Sequence, residues 1–76
     1  MKKLKQLRMA TGLSQSQLAE KAGLNVRVLQ HYEQGTKNFD HARIDILLKY
    51  CIALNCKLSD LIENPEYLDL LKKYEA

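Results

Sequence analysis

An all-α fold is the architecture this sequence predicts, and three observations predict it. Apolar residues recur at steps of three and four along nearly the whole chain, which is helix spacing. No segment alternates apolar with polar for long enough to make a strand. The three glycines, the one proline and several Ser, Asn and Asp residues fall where the periodic segments stop, as caps and breakers do. The expected molecule is a compact bundle of about five short helices that ends in a C-terminal helix.

The first helix is expected over about residues 2–11, with Leu4, Leu7, Arg8 and Thr11 on one face. Gly12 follows as a left-handed terminator, and Leu13 folds back on the helix end. Ser14-Gln15-Ser16-Gln17 matches a capping box, in which a serine hydroxyl and a glutamine side chain satisfy free backbone N–H groups reciprocally. The second helix therefore opens at Ser14, buries Leu18, Ala19 and Ala22, and stops at Gly23. Only Gly23 and Leu24 separate it from the next cap, Asn25. The third helix runs from about Val26 to Gln34, with Leu29 and Tyr32 inward and Gly35 at its end. Residues 35–39 read as a loop. Asp40 is placed to cap a fourth helix, with Phe39 and Ile44 as a hydrophobic staple. Ile44, Leu47, Leu48, Cys51 and Leu54 form that helix's expected buried stripe, and Asn55 its terminator. A short helix is expected near Leu58–Ile62. Asn64 and Pro65 then supply a cap and a first-turn proline for a last helix, to about Tyr74.

The 76 residues allow one domain with one small core. No stretch approaches the roughly 18 apolar residues of a membrane span. The basic start, Met1 to Gln6, has no apolar run behind it, so no secretory signal and a cytoplasmic location are expected. Cys51 and Cys56 are five apart, which is neither C-x-x-C nor a zinc spacing. They read as reduced thiols, with no metal and no cofactor expected.

The net charge of +3 is unevenly spread. Residues 1–38 carry Lys2, Lys3, Lys5, Arg8, Lys21, Arg27 and Lys37 against Glu20 and Glu33, a net +5. Residues 39–76 carry five basic residues against seven acidic ones, a net −2. A basic half suits a polyanion, and the other half suits solvent or protein.

Residues 15–34 carry the functional signal. Two short helices joined by a tight glycine turn need a small residue where they cross, and Ala19 supplies it. They need a residue tolerant of positive φ in the turn, and Gly23 supplies it. Leu18, Leu24, Leu29 and Tyr32 pin both helices to the domain. This arrangement holds the second helix of the pair proud of the surface, where it fits a major groove.

The run from Leu13 through Ser14-Gln15-Ser16-Gln17-Leu18-Ala19-Glu20-Lys21-Ala22-Gly23-Leu24, followed by Tyr32-Glu33-Gln34-Gly35, resembles the Cro/phage-repressor (XRE-type) helix-turn-helix family. Residues 47–55 resemble that family's fourth helix and its exit turn, so the likeness spans about residues 4–63. The resemblance implies a lambda-repressor-like, five-helix domain that binds operator DNA, usually as a dimer, and often represses transcription. It places Gln15 where the family contacts a phosphate or a base edge. Gln17 is either a second such contact or only the capping-box partner. Asn25, Val26, Arg27, Gln30 and His31 take the reading positions near the start of the third helix. Arg27 could fork onto guanine or grip a phosphate, Gln30 could pair with adenine, and Val26 could touch a thymine methyl. Val26 and Val28 make this start less polar than is usual in the family. Lys37 and Asn38 sit where the family grips the backbone. Lys2, Lys3 and Lys5 either steer phosphates or form a solvated tail. Arg8 and Glu33 match the family's structural salt bridge, so Glu33 is not expected to touch DNA.

Residues 1–63 are thus expected to form the DNA-binding domain, and 64–76 a helix for packing or dimerisation. Tyr67, Leu68, Leu71 and Tyr74 are the expected dimer stripe, with a homodimer, formed either in solution or only once on DNA, facing an inverted-repeat operator. No small-molecule ligand or membrane partner is expected. The sequence holds no Ser/His/Asp or Cys/His set, no phosphate-cradling glycine loop and no metal cluster, which argues against an enzyme. The competing reading is a protein-interaction module that keeps the fold without binding DNA. A net +5 on the helix-turn-helix half favours the DNA reading.

Overall fold

Side-chain caps set the starts of α2, α3 and α5 in the computed structural model, which describes all residues from Met1 to Ala76. The elements are α1 (Lys3–Ala10), α2 (Gln15–Ala22), α3 (Val26–Gln34), a 3-10 turn (Phe39–His41), α4 (Ile44–Leu54), a second 3-10 turn (Leu58–Asp60) and α5 (Pro65–Glu75). The chain has five α-helices and no strand, as the apolar spacing predicts. Ser14 accepts from the Gln17 amide while the Gln17 side-chain oxygen accepts from the Ser14 amide, so the capping box of α2 is complete. Asn25 caps α3 by accepting from the Arg27 amide at 2.7 Å, and Asn64 caps α5 by accepting from the Glu66 amide at 2.9 Å. Gly23 ends α2 at φ 70°, a left-handed geometry that costs a residue with a Cβ about 1–2 kcal/mol.

α2 packs on both α3 and α4, and the core closes around Leu18, Leu29, Tyr50 and Leu61, all essentially without solvent contact. Tyr32, Phe39 and Tyr50 form an aromatic cluster, in which Tyr32 meets Phe39 and Tyr50 edge-to-face with centroids 5.3 and 6.4 Å apart. Edge-to-face pairs of this kind add about 0.5–1.5 kcal/mol each beyond area burial. The Tyr50 hydroxyl is fully buried and has no hydrogen-bond partner.

Asp40 does not cap α4. Asn38 accepts from the Asp40 amide and starts the 3-10 turn early, which moves Asp40 off the helix entry. The Asp40 carboxylate instead accepts from the Glu63 and Asn64 amides at 3.0 and 2.9 Å, tying the start of α5 to this turn. α4 begins after Arg43 with no side-chain cap. The Phe39–Ile44 staple is absent for the same reason: Phe39 is drawn into the aromatic cluster, and Ile44 faces solvent. The buried face of α4 is Leu47, Tyr50, Cys51, Ala53 and Leu54, so Ile44 and Leu48 fall outside it. The segment after Asn55 makes only a three-residue 3-10 turn.

α5 lies against the rest of the chain. Tyr67, Leu68 and Leu71 pack on the core, and Ser59 donates to Glu75 at 2.6 Å near the far end. Tyr67, Leu68 and Leu71 are half-buried by that packing. Only Tyr74 of the expected dimer stripe faces out. No helix is long and apolar enough to cross a membrane.

Burial pushes the Tyr50 hydroxyl up from 10.0 to about 12 and the Cys51 thiol up from 9.0 to about 12. Across that interval the folded chain keeps protons that the unfolded chain has released. Stability is therefore intact below pH about 9 and falls as pH rises toward 12. Thermal melts across this range should show a steady alkaline decline. Tyr50→Phe removes one of the two groups together with the unpaired hydroxyl. That variant should be at least as stable as the parent at neutral pH, with a shallower decline. A parent melting temperature constant from pH 8 to pH 11 would contradict the burial argument.

Candidate nucleic-acid interface

The outward face of α3 follows from helix geometry. Once Leu29, Tyr32 and Glu33 point into the domain, Arg27, Gln30, His31 and Gln34 share the opposite side at i, i+3, i+4 and i+7. Arg27 and Gln34 are exposed, and Gln30 and His31 are half-buried at their bases. This is a row of polar ends on a helix whose other side is anchored in the core.

A chain of polar contacts fixes that helix. Arg8 on α1 donates through Nε to Glu33 Oε2 at 2.8 Å and through its terminal nitrogen to Oε1 at 3.0 Å. The guanidinium also donates to the Leu13 carbonyl at 2.9 Å. Gln15, at the first turn of α2, donates to Glu33 Oε1 at 3.0 Å. Gln30 in turn donates to Gln15 Oε1 at 3.5 Å, at the outer limit of a hydrogen bond. The Glu33 side chain is 2 % exposed, so its carboxylate is a buried charge held by α1 and α2 together. The bidentate fork makes this an ion pair of the stronger kind.

The geometry sorts the expected contact residues into three groups. Arg27, exposed and bonded to nothing by its side chain, is free to reach outward. Gln30 keeps its carbonyl and one amide hydrogen free, the pair that a bidentate contact uses. Lys37 is exposed in the loop after α3. A second group has part of its chemistry committed locally. Gln15 serves Glu33 and Gln30, Gln17 the capping box, Asn25 the α3 cap, and Asn38 the Asp40 amide. His31 Nδ1 lies 2.8 Å from the Thr36 hydroxyl, which orients the ring. Val26 alone is apolar, and it is half-buried against the core. Gln34 and the exposed Thr36 belong to the same face and escaped the sequence reading. The i+7 step from Arg27 would have found Gln34.

The amino-terminal lysines divide. Lys3 is tied down, its amide donating to Glu63 at 2.7 Å and its ammonium to the Ile62 carbonyl at 2.9 Å. The Glu63 carboxylate thus caps α1, whose preceding residue, Lys2, has no capping side chain. Lys2 itself is exposed. No group of three His, Cys, Asp or Glu side chains is placed to hold a metal ion, and Cys51 and Cys56 are both free thiols.

Glu33→Gln leaves the Arg8 charge buried without its counterion, which should cost roughly 3–5 kcal/mol in urea unfolding. Arg8→Met combined with Glu33→Leu should recover most of that loss, because no unpaired charge remains. A cost under about 1 kcal/mol for Glu33→Gln would mean that solvent screens the pair.

A family model described as helix-turn-helix matches residues 4–61, most of the chain. No curated protein and no solved structure gives a significant match. The matched span runs from the first buried leucine of α1 to the last fully buried leucine, Leu61, and so takes in the whole α2–turn–α3 unit and the ion pair beneath it. The chain belongs to the Cro/repressor-type (XRE) helix-turn-helix family, a family of DNA-binding regulators.

Proposed function

We propose that this protein is a sequence-specific transcriptional repressor that lays α3 in the major groove of an inverted-repeat operator, working as a homodimer. One observation carries the reading. Arg27, Gln30, His31 and Gln34 form an outward polar row on a helix whose inner side is locked to α1 and α2 through Glu33. A rigid helix with free donors and acceptors is what base-edge readout requires.

The residues take distinct roles. Arg27 forks onto guanine O6 and N7 and Gln30 pairs with adenine, each bidentate contact giving about 1–3 kcal/mol of discrimination. Gln15 holds Gln30 in place and offers its remaining amide hydrogen to a phosphate. His31 lies against the groove, and Val26, at the helix start, makes apolar contact with a thymine methyl. Lys37 and the free amides of Gln17, Asn25 and Asn38 meet the backbone. Residues 1–63 perform the reading, and the helix over 64–76 supports them. The net +5 of residues 1–38 supplies the sequence-independent attraction.

Selection of genomic DNA fragments by the purified protein, at two salt concentrations, tests this reading. One inverted-repeat motif should be recovered, with weaker recovery at high salt. Arg27→Ala and Gln30→Ala should each lower affinity for it by about tenfold to a hundredfold and relax the preference at one base pair. Recovery without a shared motif, unchanged by either substitution, would sink the repressor reading in favour of a protein-interaction module.

A further inference from the structure

We propose that Cys51 and Cys56 form a two-point site for a monosubstituted trivalent arsenical at the exit of α4. The way the helix ends brings the two thiols together. Asn55 is left-handed at φ 52°. Its amide donates to the Ile52 carbonyl at 3.2 Å, and the Cys56 amide donates to the Cys51 carbonyl at 3.0 Å. This pair of bonds is a Schellman ending, which folds the last residue back until its side chain meets that of the first. Here both of those positions are cysteine. Both thiols are free, and they are near enough that each acts on the other's proton. They also line the same two clefts. Ile44, Leu48, Leu58, Leu71 and Tyr74 wall the apolar one, and Asn55, Lys57 and Asp60 stand along the other.

The ligand class follows from the number of donors and from their protons. No third His, Cys, Asp or Glu is placed to complete a metal set. The site therefore suits an atom that brings one substituent of its own and needs two sulfurs, as trivalent arsenic with one carbon substituent does. Burial raises both thiols, and Asp60 adds to the effect. That disfavours a dication held by two thiolates, and it disfavours attack on an oxidant by a free thiolate. An arsine oxide takes up both protons itself. The half-buried Cys56 sulfur adds to arsenic first, and its proton passes to the oxygen to give an As–OH group. Cys51, 7 % exposed, then closes the ring. Its sulfur forms the second bond to arsenic, and the hydroxyl leaves with the Cys51 proton as water. Two S–As bonds replace the As=O double bond, arsenic stays trivalent, and nothing is oxidised or reduced. The product is neutral, which burial tolerates. The hydrocarbon substituent lies in the apolar cleft beside the sulfurs.

The site shares no residue with the polar row of α3, so its test is independent of the operator-binding reading. The full chain, kept under a thiol-free phosphine reductant, is titrated with phenylarsine oxide. Native mass spectrometry should show one phenylarsine per chain, added with loss of one water. Both thiols should then resist an alkylating reagent. Cys51→Ala and Cys56→Ala each leave a single thiol and should weaken binding by roughly a hundredfold, because the second bond is no longer intramolecular. Far-ultraviolet circular dichroism checks that both variants fold. Melting curves separate a site built by the helix ending from two cysteines that are merely close in sequence. Saturating reagent should raise the melting temperature of the parent and of neither single variant, because it binds the folded chain more tightly than the unfolded one. A folded variant that binds as tightly as the parent after loss of either thiol would overturn the proposal. So would a parent whose melting temperature holds or falls on saturation.

Discussion

The buried carboxylate of Glu33 is the constraint on which the rest of the DNA-facing structure depends. It sits on the inner side of α3, receives the Arg8 fork from α1 and the Gln15 amide from α2, and so sets the position of all three helices at one point. An ionised group this deep is tolerated only with its partners in place. The same arrangement that makes it costly to break also specifies where α3 lies. Gln30 is joined to it through Gln15, so the orientation of a groove-facing side chain is tied to the interior rather than left to surface rotamers.

A second set of contacts closes the domain around that point. The aromatic cluster of Tyr32, Phe39 and Tyr50 braces α3 against α4. Asp40 and Glu63 form a relay in which each carboxylate takes amides that another element leaves free: Asp40 those entering α5, Glu63 that of Lys3 at the start of α1. The chain ends are thereby fastened to the body, and the loop over 35–38 is left to face the same side as α3. Polar satisfaction and apolar packing agree on one arrangement, which is the condition for a sequence to specify a single fold.

Much of this was legible in the residues. The capping box at Ser14, the Asn25 and Asn64 caps and the glycine stops act over three or four positions, so the boundaries of α2, α3 and α5 could be read directly. The entry to α4 could not. Asn38 and Asp40 are both capping residues, and which amides Asp40 takes depends on Glu63 and Asn64, more than twenty positions away. The buried face of α4 was misread because that helix is apolar almost all round. Asp45 and Lys49 are its only charged side chains and mark too narrow a strip to show the whole solvent side, so packing decides that Tyr50 and Ala53 go in while Ile44 and Leu48 stay out. On α5, helical spacing shows that Tyr67, Leu68 and Leu71 share a face, and the packing of that face on the core needed the fold. On the DNA-facing side, Arg27, Gln30 and His31 could be placed by spacing. The Gln15–Glu33 contact needed three dimensions.

The most direct test of the central claim is an amide chemical-shift map of the labelled protein as its selected operator duplex is added. The largest shifts are expected at Gln15, along α3 from Val26 to Gln34, and through Lys37 and Asn38. Shifts confined to α4 and α5, with α3 silent, would contradict the account and show that α3 does not read DNA.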